Sequence, residues 1–313
     1  MNGYLYETSA QPIPFSVAGN GRLNLTAEFL RELSTRAQRL LGENYAHLRA
    51  SDIRGQTSRT PPASRHRLTE LISHAEETAS VLETRLAVAV GHPSLDDITE
   101  LVATVEMFER WRNHPAWPQL VAGLASETEG PHSLMLLSAA SYLSDQGNGV
   151  GIVHGKAHGR IPDLWLEPNL IERVDLEVKT PLAFRGSRTL DISAEKAEEV
   201  ITKQVNKAAS QRRGQLRSNR TGLLAIGAFH LPPTKLEMLA TVTRHVLEAQ
   251  TQRKRHLAGV LLCAFSYSIS RSSTPPFIQQ LKPGLQNRWV WHPGYRGNLA
   301  VGGEMPPRKT TLP

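Results

Sequence analysis

The sequence holds one cysteine in 313 residues, Cys263. An internal disulfide is therefore excluded. Lying inside the apolar run 257–265, that thiol reads as a small packed hydrophobe rather than a nucleophile. Aromatic residues are scarce, at 6%. No apolar run approaches the roughly 20 residues that a membrane helix needs. The opening stretch MNGYLYETSAQ has no charged segment followed by an apolar one, so a signal peptide is not expected. A reducing, cytoplasmic setting without a membrane partner is the expectation.

What is present is ordinary for a folded chain: 40% hydrophobic and 21% charged residues. The length suffices for a sizeable core and predicts two domains. The net charge of +7 is unevenly spread: residues 1–180 hold 16 Lys+Arg against 22 Asp+Glu, and residues 181–313 hold 20 against 7. An anionic partner is expected to meet the second half, nucleic acid being the natural candidate. A basic surface with no specific partner is the plainer alternative.

Residues 1–24 contain Pro12, Pro14, Gly19 and Gly21 and read as an irregular lead-in. Thr26 is placed to cap a helix reaching about Arg49. Apolar spacing predicts further helices over 65–90 and 95–111, together an N-terminal helical region spanning 1–120. No catalytic constellation shows in it, and recruitment of a protein partner is one role open to it. Residues 113–118, with two prolines, read as the boundary to a second domain over 121–292. A Pro-rich, flexible tail is expected over 293–313.

The second domain carries the chemistry. Pro162-Asp163 is followed fourteen residues later by Glu177-Val178-Lys179, with Pro168-Asn169 between two Leu/Ile/Val-rich segments. This reads as two adjacent strands joined by a turn. Side chains at i and i+2 share a strand face, so Glu177 and Lys179 point one way and Asp163 can converge on them. Two carboxylates suit Mg²⁺ when a phosphate and waters complete its shell. A bound metal polarises the phosphoryl group and activates water, and a nearby lysine can orient that water or stabilise developing charge. The plain alternative is that Asp175, Glu177 and Lys179 form the solvated face of an ordinary strand.

Around this motif the pattern predicts a helix over 134–143, strands near 150–154, 163 and 177, and a helix over 194–213 capped by Ser193. A buried strand over 221–229 follows. The motif and this order resemble the PD-(D/E)XK nuclease superfamily, whose core runs helix-strand-strand-strand-helix-strand. The resemblance covers roughly residues 130–230. It implies an α/β fold with a restriction-endonuclease-like core, a central mixed sheet flanked by helices, preceded by the helical domain. It also implies metal-dependent hydrolysis of DNA phosphodiester bonds, with Mg²⁺ or Mn²⁺ on Asp163 and Glu177 and with Lys179 catalytic. RNA and a homodimer remain open. Some members add a Gln or Lys from the next helix; Gln204 is the best match, with Lys203 and Lys207 as others. Many also carry a glutamate on the helix before the first strand. Here that helix has no acidic residue, and Asp145 at its end is a weak substitute.

Lys203, Lys207, Arg212, Arg213, Arg217 and Arg220 lie within eighteen residues without an acidic one, a cationic ridge for phosphates. His154 and His158 in HGKAHG have zinc-like spacing, but the glycines argue for a strand end and loop, and two histidines leave such a site incomplete. A helix from 233 to about 255 and a strand over 257–267 are expected to extend the core, with a connection over 271–288. Trp289-Val290-Trp291 reads as a short strand whose rings, with Tyr295, serve packing or base stacking. The alternatives to an enzyme are a nucleic-acid-binding module with an inactive nuclease fold, or a partner-recruiting scaffold.

Overall fold

The computed structural model describes residues 4–7, 23–57, 66–84, 93–126, 129–154, 162–167, 173–185, 192–210, 214–229, 231, 233–250, 256–271, 279–295 and 299. In chain order the elements are β1 (Tyr4–Glu7), β2 (Leu23–Leu25), α1 (Ala27–Leu41), α2 (Glu43–Thr57), α3 (Arg67–Thr84) and α4 (Pro93–Trp111). There follow α5 (Trp117–Leu124), α6 (Gly130–Asp145), β3 (Gly149–His154), β4 (Leu164–Glu167) and β5 (Val174–Lys179). A short 3-10 helix (Leu182–Phe184) leads to α7 (Ala194–Ala208), β6 (Gly222–Ala228), α8 (Pro233–Glu248), β7 (Leu257–Arg271) and β8 (Gln279–Trp291). The chain forms two compact units: Ile13–Leu134 with Phe265–Leu285, and Met1–Pro12 with Met135–Ala264 and Gln286–Pro313.

The first unit is helical. The Thr26 hydroxyl accepts the Phe29 N–H at 3.1 Å and caps α1. Leu30, Leu33, Ala37 and Leu41 form the buried stripe of α1, which packs on α3 and α4. At Gly42 the backbone turns to φ 55, a conformation that glycine adopts without penalty, so the single helix expected to Arg49 is two, α1 and α2. Residues 113–118 are no linker. His114 N–H bonds to Trp111 O at 2.8 Å and Trp117 N–H to His114 O at 2.8 Å. Trp117 then meets Phe108 edge-to-face at 5.4 Å. The expected boundary near 120 thus falls at 134/135, within α6. In this unit β2 pairs antiparallel with β8, Leu25 opposite Gln279.

The second unit is α/β. Its strand order is β1-β3-β4-β5-β6-β7-β8, antiparallel from β1 to β5 and parallel from β5 to β7. Two outcomes differ from the sequence expectation. Residues 4–7 are a strand on β3, not part of a lead-in, and 279–288 continue a strand rather than a connection. Leu224, Ile226, Ala228, Val260 and Leu262 on one face pack under α7 and α8, with Ile201, Val205, Leu236 and Leu239 buried there. On the other face α6 lies close enough that a Cβ at Gly227 would stand 2.3 Å from Met135 Cγ. Helix α6, the mixed sheet and the α7–α8 pair are therefore three layers. No helix among the described residues is long and apolar enough to cross a membrane. Of the expected tail 293–313, the turn at 293–295 is anchored by Gly294 and Tyr295 N–H groups on His292; residues 296–298 and 300–313 lie outside the described residues.

Candidate active site

The site follows from the β4–β5 register. Leu164 stands opposite Leu176 and Trp165 opposite Asp175, so one step further sets Asp163 across from Glu177. Leu164, Leu166, Val174, Leu176 and Val178 point toward the α6 layer and are fully buried. Asp163, Asp175, Glu177 and Lys179 therefore share the opposite face, the one α7 covers. The expectation that Asp163, Glu177 and Lys179 meet on one face holds in the geometry.

Asp163 is half-buried, and its Oδ2 accepts the Val178 N–H at 2.7 Å. This bond ties the carboxylate to the strand that carries Glu177. Glu177 has no exposed surface; its Oε1 accepts from Lys179 Nζ, its buried Oε2 meets no donor among the described residues, and the carboxyl lies within hydrogen-bonding reach of the Asp163 side chain. Burial first, and the Asp163 charge second, push the Glu177 carboxyl from its ordinary 4.5 up to about 8, against the pull of Lys179. Lys179 keeps 15% of its side-chain surface exposed and also donates to Gln215 Oε1 at 2.6 Å.

Asp175 is no solvated strand residue. It is fully buried and takes two hydrogen bonds from Arg217, Nε to Oδ2 at 2.6 Å and Nη2 to Oδ1 at 2.5 Å. The bond to Asp175 raises the Arg217 pKa further. A guanidinium fork committed in this way has little left for a phosphate.

The remaining expected residues divide. Gln204 sits half-buried on α7, on the flank of the Ala197–Val200–Ile201–Ala208 stripe; the glutamine bonded to Lys179 is Gln215, in the loop beyond. Lys203 lies on the outer face of α7, in an open depression with Glu195, Glu198 and Glu199. Lys207 and Arg220 are exposed. Arg212 and Arg213 lie outside the described residues, as do His158 and the side chain of His154. Asp145 is exposed at the end of α6, the helix on the opposite face. Helix α7 starts where Ser193 was expected to cap it, its hydroxyl accepting the Lys196 N–H at 3.3 Å, but ends at Ala208 rather than 213. Cys263 is buried, and burial pushes its thiol up to about 12, so it is inert at neutral pH.

A hard divalent cation fits this donor set. The two carboxylates face one another, and one buried oxygen has no donor aimed at it among the described residues. That arrangement is costly for an anion unless a cation is supplied. Among the described residues no group of three or more His, Cys, Asp or Glu could hold a metal. Set against family models, curated proteins and solved structures, the chain matches none of them.

Proposed function

We propose that the protein is a divalent-metal-dependent nuclease, a hydrolase of DNA phosphodiester bonds with a restriction-endonuclease-like core. The observation that carries this reading is the cross-strand pair Asp163–Glu177, with no donor to the buried Glu177 Oε2 among the described residues and Lys179 beside it. The helix-strand-strand-strand-helix-strand order around the pair supports it.

In this reading Asp163 and Glu177 hold Mg²⁺ or Mn²⁺, which when bound polarises the phosphoryl oxygen and lowers the pKa of a water. Val178 N–H orients Asp163, so that one ligand is aimed before any metal arrives. The Lys179 ammonium stabilises charge on the phosphoryl oxygens or orients the attacking water. Substrate meets the site from the rim where Asp163 and Lys179 reach solvent. The exposed Lys203, Lys207 and Arg220 supply charge for the nucleic-acid backbone.

One observation favours a second reading. The Lys179–Glu177 contact is also what an internal salt bridge of an inactive, nucleic-acid-binding fold would show. The two readings separate in one experiment. Supercoiled plasmid, linear DNA and RNA are incubated with the protein in Mg²⁺, Mn²⁺ or EDTA. Metal-dependent cleavage that Glu177→Ala abolishes supports the enzyme. Binding without cleavage in either metal supports the inactive fold.

A further inference from the structure

Of four consecutive residues after α7, two bond to the strand that carries the candidate site, Gln215 and Arg217, while Gly214 and Leu216 fasten the loop to the end of α7 and to β6. Gly214 makes the turn: its N–H bonds to Ser210 O at 2.8 Å, and a Cβ there would lie 2.5 Å from the Ala208 and Ser210 carbonyl oxygens. Only glycine fits so close to backbone. Gln215 Oε1 accepts from Lys179 Nζ at 2.6 Å. Leu216 returns its N–H to Ala208 O at 3.0 Å and is fully buried, its methyls against Gly222. Arg217 grips Asp175 through two bonds. Loop residues 215 and 217 thus reach residues 179 and 175 of β5, on either side of Glu177 and on the face of the candidate site.

The arrangement is directional. Arg217 and Leu216 are anchors: one neutralises a buried carboxylate and the other fills the core. Gln215, immediately before them, is half-exposed, and its side-chain oxygen is committed to Lys179. A lysine side chain has several rotatable bonds and loses much freedom when it is held. An ammonium resting only on Glu177 would be left loose whenever that carboxylate turned to a cation. A neutral amide oxygen holds it without competing for the cation.

We propose that Gln215 is the positioning residue for Lys179, set at a fixed height over β5 by the Gly214–Leu216–Arg217 latch; its consequence for cleavage rests on the nuclease reading above.

The test uses the full-length protein and three variants. Gln215→Ala and Gln215→Leu remove the acceptor, Leu keeping the bulk; Gln215→Glu keeps an oxygen acceptor at the same reach. Lys179 acylation by a water-soluble activated ester is followed by peptide mass spectrometry in EDTA, where cleavage plays no part. Labelling of Lys179 is expected to quicken roughly tenfold in the Ala and Leu variants and to stay near wild type in the Glu variant, as loss of one charged hydrogen bond implies. In Mg²⁺, kcat is expected to fall roughly ten- to a hundredfold in the Ala and Leu variants while KM and DNA affinity hold, because misplacing a catalytic group costs rate rather than binding. Unchanged Lys179 labelling in all three variants overturns the proposal, whether or not the wild type cleaves DNA. Labelling that changes as expected in a protein that never cleaves leaves the positioning intact and removes the nuclease reading instead.

Discussion

Each unit buries a cluster of charges, and the two clusters are built differently. In the helical unit Arg67 on α3 meets three carboxylates: Glu70 at 2.9 Å, Asp97 at 2.7 Å and Glu100 at 2.6 Å. Asp97 also contacts His74 Nδ1. Burial works against the Arg67 charge, but Glu100 and Asp97 outweigh it and raise its pKa. Here the cation sits at the centre and the anions close around it. In the α/β unit the carboxyl groups sit at the centre: Asp163 and Glu177 face each other, Lys179 covers one oxygen, and Glu177 Oε2 meets no donor among the described residues. The difference separates a cluster whose carboxylates close on a cation from one that leaves a buried carboxyl oxygen without a donor among the described residues, the feature the proposed function reads as a cation site. Asp175–Arg217, a fully buried carboxylate with a two-bond partner, shows that the α/β unit can complete such a pair when the role is structural.

The largest expected effect lies on the satisfied side. Arg67→Ala should cost about 3–5 kcal/mol, because it strands Asp97 and Glu100 in a buried setting. Urea unfolding followed by circular dichroism measures it. A loss below about 1 kcal/mol would mean that water already shares these carboxylates. On the unsatisfied side, Lys179→Ala should lower the cleavage rate about a hundredfold or more, while DNA binding and unfolding midpoint stay near wild type. Gel-shift and plasmid assays on one preparation, with urea unfolding beside them, read all three. A large fall in the midpoint would reassign Lys179 to the structural class.

The contrast also has a pH signature. The Glu177 carboxyl titrates near 8 in the folded protein against 4.5 ordinarily, so the native state binds the extra proton. Its contribution to stability is complete below about pH 4.5 and is lost as pH rises toward 8, on the order of a few kcal/mol in the absence of metal. Melting temperatures in EDTA should fall across that window in the wild type and much less in Glu177→Gln, which mimics the neutral acid. Parallel curves would place the strain elsewhere.

Much of this was legible because it is local. Thr26 and Ser193 announce their helices, and the Leu/Ile/Val segments around Asp163 and Glu177 announce paired strands whose period of two puts Glu177 and Lys179 on one face. What stayed hidden is non-local or made by side chains from a loop. The β1 tetrad YLYE is too short to stand out, and its partner β3 lies about 145 residues away. Strand β8 contains Pro283-Gly284, which reads as a turn. Gln215 escaped because its approach to Lys179 depends on how tightly the chain turns at Gly214, which spacing does not reveal. Asp175 looked like a solvated strand residue because its partner Arg217 comes 42 residues later.

The smallest expected effect concerns the exposed cations. Replacing Lys203, Lys207 and Arg220 together with Ala should weaken DNA binding at all sequences and flatten the salt slope by roughly 0.9 for each phosphate no longer neutralised. Arg217→Ala should instead destabilise the fold, since it uncovers Asp175. An unchanged slope in the triple variant would move the nucleic-acid surface elsewhere.

The claim that the Asp163–Glu177 pair is a cation site is tested most directly by calorimetric titration of Mn²⁺ into the wild type and Glu177→Gln at pH 8. One site is expected in the wild type, weakened about tenfold or more in the variant, whose amide cannot bind the cation as a carboxylate does. Equal affinity in both proteins, or no binding in the wild type, would contradict it.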